Sequence, residues 1–557
     1  MANILTPAAL WSNFDTSLPL NPELISMKEE GGIKFEYYYF SGRKTNNGRV
    51  KIYGVFASSA RTPSSDGVLI VPDSNKTVDE KLLKFYVEKG YSAFMIDYRG
   101  QYKDTLNFTH YPADVSYANF TGSDEVKGAV IESALRTCWY EWVGVSIYAR
   151  KFLMERIQSP SVCAVGIRDG GEVVWKLAYA TKLCCAVVIN SAGWLAYRGI
   201  NKFSSGEIKI EQDKYCFLAG LDSQAYAPMV RCPIMITCSS NDDSFDYDRA
   251  YDTFTRINPE HIDDSVITYS FNVNGCVNAQ NVQNMIMFLN KHVKNRQVFI
   301  PQPAEITIKV DEEYNLIAVA NFDEEGEVED VGLYLAEDVA ECSLRDWTKV
   351  EKSNKISSHE YEFMLDVYEH TRLVFAVCYV KYKNGFTAWS KMAIKKIGGT
   401  FKNTVSKCRV LYNSKNGVDA FTFATKSKAL GHAFMIDEDC GVQVIDTQKD
   451  IKGLYCDGGL LTFRTNSPKY APDDDSVIKI DVYTFERAQV TFVIRDMEEN
   501  LEYRYTYNSV DGVWQNVILE SVKFKTKHGK TLSTFNKKMK FAVIATSKFA
   551  INNFMWL

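Results

Sequence analysis

Histidine is scarce in this chain. Seven occur in 557 residues, and only His110, His261 and His292 precede residue 300, so a proton-transferring base in the N-terminal half has few candidates. The thirteen Cys include no C-x-x-C pair and no His partner at zinc spacing, so they read as small hydrophobes in a reducing, cytoplasmic compartment, with no metal and no cofactor implied. No window of about 18 apolar residues is present, and the opening MANILTPAALWSNFDTSLPLNPE has neither a basic n-region nor an apolar h-region. The expectation is a chain that is neither secreted nor membrane-spanning, in which the sequons at Asn75, Asn107 and Asn119 carry no weight. A formal charge of −5 supports no nucleic-acid partner. Internal repeats and low-complexity tracts are absent as well.

What is there is globular. Hydrophobic residues make up 46% and charged residues 24%, enough to bury several cores, and the length predicts two to four domains. The 32 Tyr and 32 Phe lean toward β-structure. From about residue 50 to 295, apolar runs (VKIYGVFA, GVLIVPD, SAFMIDYRG, VCAVGI, CAVVINSAG, IMITCSS, VITYSFNVNG) alternate with segments of helical period. That alternation predicts an α/β domain over 1–299 with a mostly parallel sheet. Near PQPAEITIKVDEE the pattern changes to short alternating strands with acidic turns. This predicts a small β-sandwich over 300–398, with Trp347 and Trp389 in its core, and a jelly-roll-like β-sandwich over 399–557.

One short stretch carries the chemistry. VCAVGIRDGGEVVWKLAYA, Val162 to Ala180, reads as a strand, a glycine-flanked turn and a helix, the arrangement by which a G-x-S-x-G elbow presents a serine. Gly166 and Gly170 occupy the flanks and Arg168 the tip. Arginine stays protonated and is neither nucleophile nor base. Placing Asp169 at the tip instead would put β-branched Ile167 where a small residue is needed. Asp242 stands after the strand IMIT, where an acid belongs, with Asp243 beside it. The position for a His, after VITYSFNV, holds Asn274-Gly275-Cys276-Val277-Asn278. Cys276 has no His partner for thiolate chemistry, and His292 sits at the end of the last helix, where a cation facing the helix C-terminus is expected. Two uses remain for Arg168: pairing with Asp242 or Asp169, or holding an anion or a sugar at the start of the following helix.

DYRGQY at 97–102, the helix containing YEWVGVSIYARKFL, the elbow GIRDGG and the segment SSNDDSFDYDRAYDTFTRI together resemble the acetyl xylan esterase and cephalosporin-C deacetylase branch of the α/β-hydrolase superfamily over roughly residues 20–295. That resemblance implies an α/β-hydrolase fold followed by two β-sandwich domains. The family's elbow reads G-x-S-x-G-G and a His closes its triad, so the degenerate triad positions here are Arg168, Asp242 and Cys276. RDWTKVEK with LVFAVCYVKYKNGFTAWSKM resembles the small β-sandwich that follows the catalytic domain in some bacterial hydrolases. VWQNVILESVKFKTKHGKTL with INNFMWL resembles the last strands of carbohydrate-binding modules. The implied protein is a catalytically degenerate, bacterial-type esterase relative that binds or scaffolds, with Arg168, Asp169, Asp242 and Trp514 as candidate ligand-binding residues and a carbohydrate or acetylated glycan as partner. The alternatives are an active deacetylase with a non-standard site, completed by a residue such as His432, and a structural or assembly protein.

Overall fold

A computed structural model describes the chain except for residues 1–2, 103–104, 123–126, 128–129, 131, 193–201, 204–211, 244, 246, 274, 323–325, 425–434, 437–440, 457 and 537. His432 and Asn274 lie outside the described residues. Two compact units form: residues 1–238, 244–268 and 283–299 make the first, and residues 239–243, 269–282 and 300–557 the second.

The first unit is built on nine strands. They are β1 (Glu23–Glu30), β2 (Ile33–Thr45), β3 (Gly48–Ser59), β4 (Gly67–Val71), β5 (Ser92–Asp97), β6 (Val162–Ile167), β7 (Ala186–Ile189), β8 (Ile234–Ser239) and β9 (Val266–Ser270), in the order β1-β2-β3-β5-β4-β6-β7-β8-β9. β4, β5, β6, β7 and β8 run parallel and are buried on both faces. This is why they read as unbroken apolar runs and not as alternations. The helices α1 (Pro7–Trp11), α2 (Glu80–Glu88), α3 (Cys138–Ile157) and α4 (Asp169–Ala180) start where side chains satisfy the first-turn amides in all but the last. Thr6, Asp79 and Thr137 accept from backbone N–H groups two or three residues on. α3 ends at Gln158, which adopts the left-handed conformation at φ 53°.

The antiparallel start of the sheet was less legible. β2 and β3 form a long antiparallel pair, and β1 is exposed at all eight positions, so it carries no inward-facing period to detect.

The second unit is β-rich. Between residues 305 and 396 lie a four-stranded and a five-stranded sheet; between 410 and 556 lie a six-stranded and a five-stranded sheet. In the latter pair both sheets contribute to one core: Ile478, Ile480 and Val482 alternate inward along one strand and share that core with Phe492, Ile494, Phe541 and Val543 of the other sheet. Trp347 and Trp389 are buried. No helix among the described residues is long and apolar enough to cross a membrane.

His292 departs from the sequence expectation. It ends the helix Ala279–His292, but its ring packs 4.6 Å from that of Phe288. Burial, with the charge of Lys291, pushes its pKa down to about 4 against the opposing pull of Asp264. The ring is therefore neutral at pH 7, and it is no cation facing a helix dipole. Its folded pKa lies below the ordinary value of 6.5, so between pH 6.5 and about 4 the unfolded chain binds more protons and stability falls as pH falls. We expect His292→Leu to flatten this part of the stability–pH curve by up to about 2 kcal/mol, the partly exposed ring limiting the effect. Urea melts at pH 7 and pH 4.5 measure it, and an unchanged slope would contradict the assignment.

Candidate functional site at the elbow

Close approach of backbone to backbone shapes the elbow. A Cβ on Gly166 would lie 2.4 Å from the Gly170 carbonyl oxygen, one on Gly170 would lie 2.0 Å from that of Val71, and one on Gly171 2.3 Å from the Ser191 side chain. Only glycine fits at these points. Between them Arg168 turns from β6 into α4 at φ 51°, ψ −113°. That backbone lies outside the regions open to a residue with a Cβ and costs about 1–3 kcal/mol. The Arg168 N–H donates to the Ile189 carbonyl at 2.8 Å, and its own carbonyl accepts from Glu172 N–H at 3.1 Å. The sharp strand–turn–helix geometry is present, with a half-buried arginine at its tip.

Around it lies a cluster that sequence reading missed. Asp169, the first residue of α4, is buried; its Oδ2 accepts from Ser74 Oγ at 2.5 Å and pairs with the ammonium of Lys127. Lys127 Nζ also donates to Ser74 Oγ at 2.8 Å. Ser74 and Lys127 are themselves 1% and 5% exposed, so water is excluded from all three. Asp73 completes the group. Its Oδ1 accepts the Ser74 N–H at 2.9 Å, and burial together with the Asp169 charge pushes its carboxyl up to about 6, while Arg168 and Lys127 pull it back. Two cations and two carboxylates thus balance in a low-dielectric site, where any one left alone would be costly.

A second buried pair continues along α4. Lys176, fully enclosed, donates to the Glu172 carbonyl at 2.9 Å and approaches its carboxylate at 3.5 Å. The ammonium also faces the rings of Trp139 and Tyr226 at 5.0 and 5.5 Å. Burial lowers the Lys176 pKa, and Glu172 and Asp222 oppose that shift.

The other candidate positions belong to the second unit. Asp242 is buried, and neighbouring Asp243 pairs with the buried ammonium of Lys540. Asn241 donates its amide to the carbonyls of Arg345 at 2.7 Å and Ser343 at 3.3 Å. Just before the position where a His would stand, Asn272 exchanges two hydrogen bonds with the backbone of Trp347, at 2.7 and 2.9 Å. Phe271 stacks on Tyr334 at 4.4 Å. Cys276 lies in a two-residue strand that pairs in parallel with Met435–Ile436. The remaining histidine of interest, His110, packs against Phe108 and Tyr39 and its backbone bridges to Lys51.

Trp514 is half-buried. Its indole N–H donates to Thr447 Oγ1 at 2.9 Å and its ring covers Gly453, where a Cβ would meet it at 2.8 Å. Trp556 is buried and donates to the Tyr470 carbonyl at 2.7 Å. Among the described residues no group of three or more His, Cys, Asp or Glu could hold a metal ion.

No family model matches the sequence, and no curated protein matches it. Among solved structures, the chain is similar to an acetyl xylan esterase from Paenibacillus sp. R4, with 15% identity over 51% of this chain and 92% of that one, at a TM-score of 0.40. It is similar also to acetyl xylan esterase 1 from Thermoanaerobacterium sp. JW/SL YS485 (14% identity, 48% of this chain, 87% of that one, TM-score 0.35). An esterase from Pyrococcus furiosus is a further neighbour (15% identity, 46% and 93%, TM-score 0.31).

The cluster makes a definite energetic prediction. Lys127→Met should destabilise the protein by about 3–5 kcal/mol, because it strands two carboxylates, whereas Lys127→Met with Asp169→Leu should recover much of that loss. Chemical denaturation of the two single variants and the double variant tests this; additive losses would mean that the pair is not coupled.

Proposed function

We propose that the chain is an α/β-hydrolase-like protein, related in design to acetyl xylan esterases, that has lost ester hydrolysis and acts by binding or scaffolding, with carbohydrate as its ligand class. Its β-rich unit is read as two sandwich domains, 300–398 and 399–557. The single observation that carries this reading is Arg168 in the strained turn: the backbone of a nucleophile elbow is retained and the tip residue is one that stays protonated.

The surrounding electrostatics support it. In a working elbow, the amide after the nucleophile and one from the loop behind it receive a developing oxyanion. Here those places carry Asp169, whose carboxylate is buried, and Ser74, whose N–H is already bonded to the Asp73 carboxylate. Cations already matched by carboxylates leave no uncompensated positive potential for an oxyanion. Beside the expected acid and base positions, the side chains of Asn241, Asp243 and Asn272 bond to Arg345, Lys540 and Trp347.

A second reading rests on Ser74. Its hydroxyl lies within hydrogen-bond reach of Lys127 and Asp169, which are the parts of an activated serine. Against it, Lys127 is engaged in an ion pair with Asp169, and Ser74 is sealed from solvent.

Assays with p-nitrophenyl acetate and acetylated xylo-oligosaccharides separate the two readings. We expect turnover on the order of a millionfold below that of a working esterase, and no recovery in Arg168→Ser, which supplies a nucleophile without a base. Arg168→Ser with Cys276→His tests restoration more fully. Saturable turnover abolished by Ser74→Ala would overturn the non-catalytic reading in favour of the second.

A further inference from the structure

The second unit contains a cavity of about 340 Å³, within the usual range of small-molecule sites, about 300–1,000 Å³. Its walls come from Leu335–Glu337, from Asp346 and the segment 348–352, from Met364 and Asp366, and from the turn Ser467–Tyr470. We propose that this cavity is a binding site for a neutral saccharide, with Tyr470 as its aromatic wall and Glu337, Asp346 and Lys469 as the groups that take its hydroxyls. This takes up the binding role proposed above and gives it a location. The cavity can hold a sugar whether or not the elbow is inert, so the two ideas fail separately.

Three features of the lining point to this chemistry. First, its charges nearly cancel: Glu337, Asp346, Glu351 and Asp366 face Lys349, Lys352 and Lys469, and the buried guanidinium of Arg464 lies 3.4 Å from Asp346. A balanced wall gives no net attraction for a strong anion or cation, yet offers both acceptors and donors, which is what a polyhydroxyl ligand needs. Second, the carboxylates are fixed before any ligand arrives. Glu337 Oε2 accepts from the Tyr368 N–H at 2.8 Å and from the Thr371 hydroxyl. Arg464 holds Asp346 and is itself anchored on the Leu411 carbonyl at 2.9 Å. Pre-set acceptors lower the entropic cost of binding a weakly held, hydrated ligand. Third, the half-buried Tyr470 adds an aromatic side chain to the wall, held between the core and two cations, with the Arg464 guanidinium 5.2 Å and the Lys469 ammonium 5.4 Å from its ring centre, so that its remaining apolar surface is fixed for the C–H side of a sugar.

The test uses the full chain titrated with cellobiose, xylobiose and N,N′-diacetylchitobiose, followed by calorimetry and saturation-transfer NMR, with triglycine and glutamate as zwitterionic and anionic controls. We expect saturable binding of at least one disaccharide with Kd below about 1 mM. Lys469→Met, a half-buried position whose loss should leave the fold intact, should weaken that binding at least about tenfold, and Tyr470→Leu similarly, while Tyr470→Phe should retain it. Trp514→Ala should leave it unchanged. The proposal is overturned if none of the three saturates by about 20 mM, if Lys469→Met binds as the unaltered chain does, if Trp514→Ala removes binding, or if only the controls bind.

Discussion

The contact between Gly170 and the carbonyl of Val71 governs the first unit. With 2.0 Å between a notional Cβ on Gly170 and that oxygen at the end of β4, and 2.4 Å between one on Gly166 and the Gly170 oxygen, α4 can follow β6 only if the residues at the join have no side chain and the chain turns within a single residue. Arg168 absorbs that turn at φ 51°. The strain is thus a consequence of how tightly a parallel strand packs against the helix that follows it, and it needs no catalytic group to persist. A serine could be exchanged for another residue without relaxing the turn, since nothing about the packing of Gly166, Gly170 and Gly171 depends on what the tip carries.

Putting a cation at the tip alters what the neighbourhood must contain. A guanidinium and an ammonium close to a buried helix start require compensation, and Asp73 and Asp169 supply it. Asp73 shows the balance directly: burial and Asp169 push its carboxyl up to about 6, and the two cations restrain it. A site poised for acyl transfer holds its positive potential in reserve for a charge that appears only in the transition state. On the reading proposed above, the ion pairs of this cluster leave no such reserve.

These features were unequally legible in the sequence. The elbow could be read because glycines at fixed offsets report backbone geometry, and the parallel strands because burial on both faces leaves long apolar runs. Lys127 and Ser74 could not be, because each joins Asp169 from a distant part of the chain, 42 and 95 residues away, and Lys and Ser are ordinarily surface residues. β1 has no buried face and so no period. Trp514 shows the limit of composition: a tryptophan in a strand signals an aromatic surface, but its indole is tied to Thr447 and laid over Gly453, a pairing that no local pattern encodes.

The segments that follow β8 and β9 serve the β-rich unit. Segments 239–243 and 269–282 are part of that unit, and the side chains of Asn241 and Asn272 close hydrogen bonds to its backbone. A buried amide that satisfies two backbone groups is expensive to withdraw, because removing it leaves each unsatisfied. On the reading proposed above, catalysis would need these segments to present an acid and a base, whereas the stability of the β-rich unit needs their side chains in its own hydrogen bonds. The two demands compete for the same few residues. In this chain Asn241 and Asn272 serve the second demand, closing on the backbone of Ser343, Arg345 and Trp347.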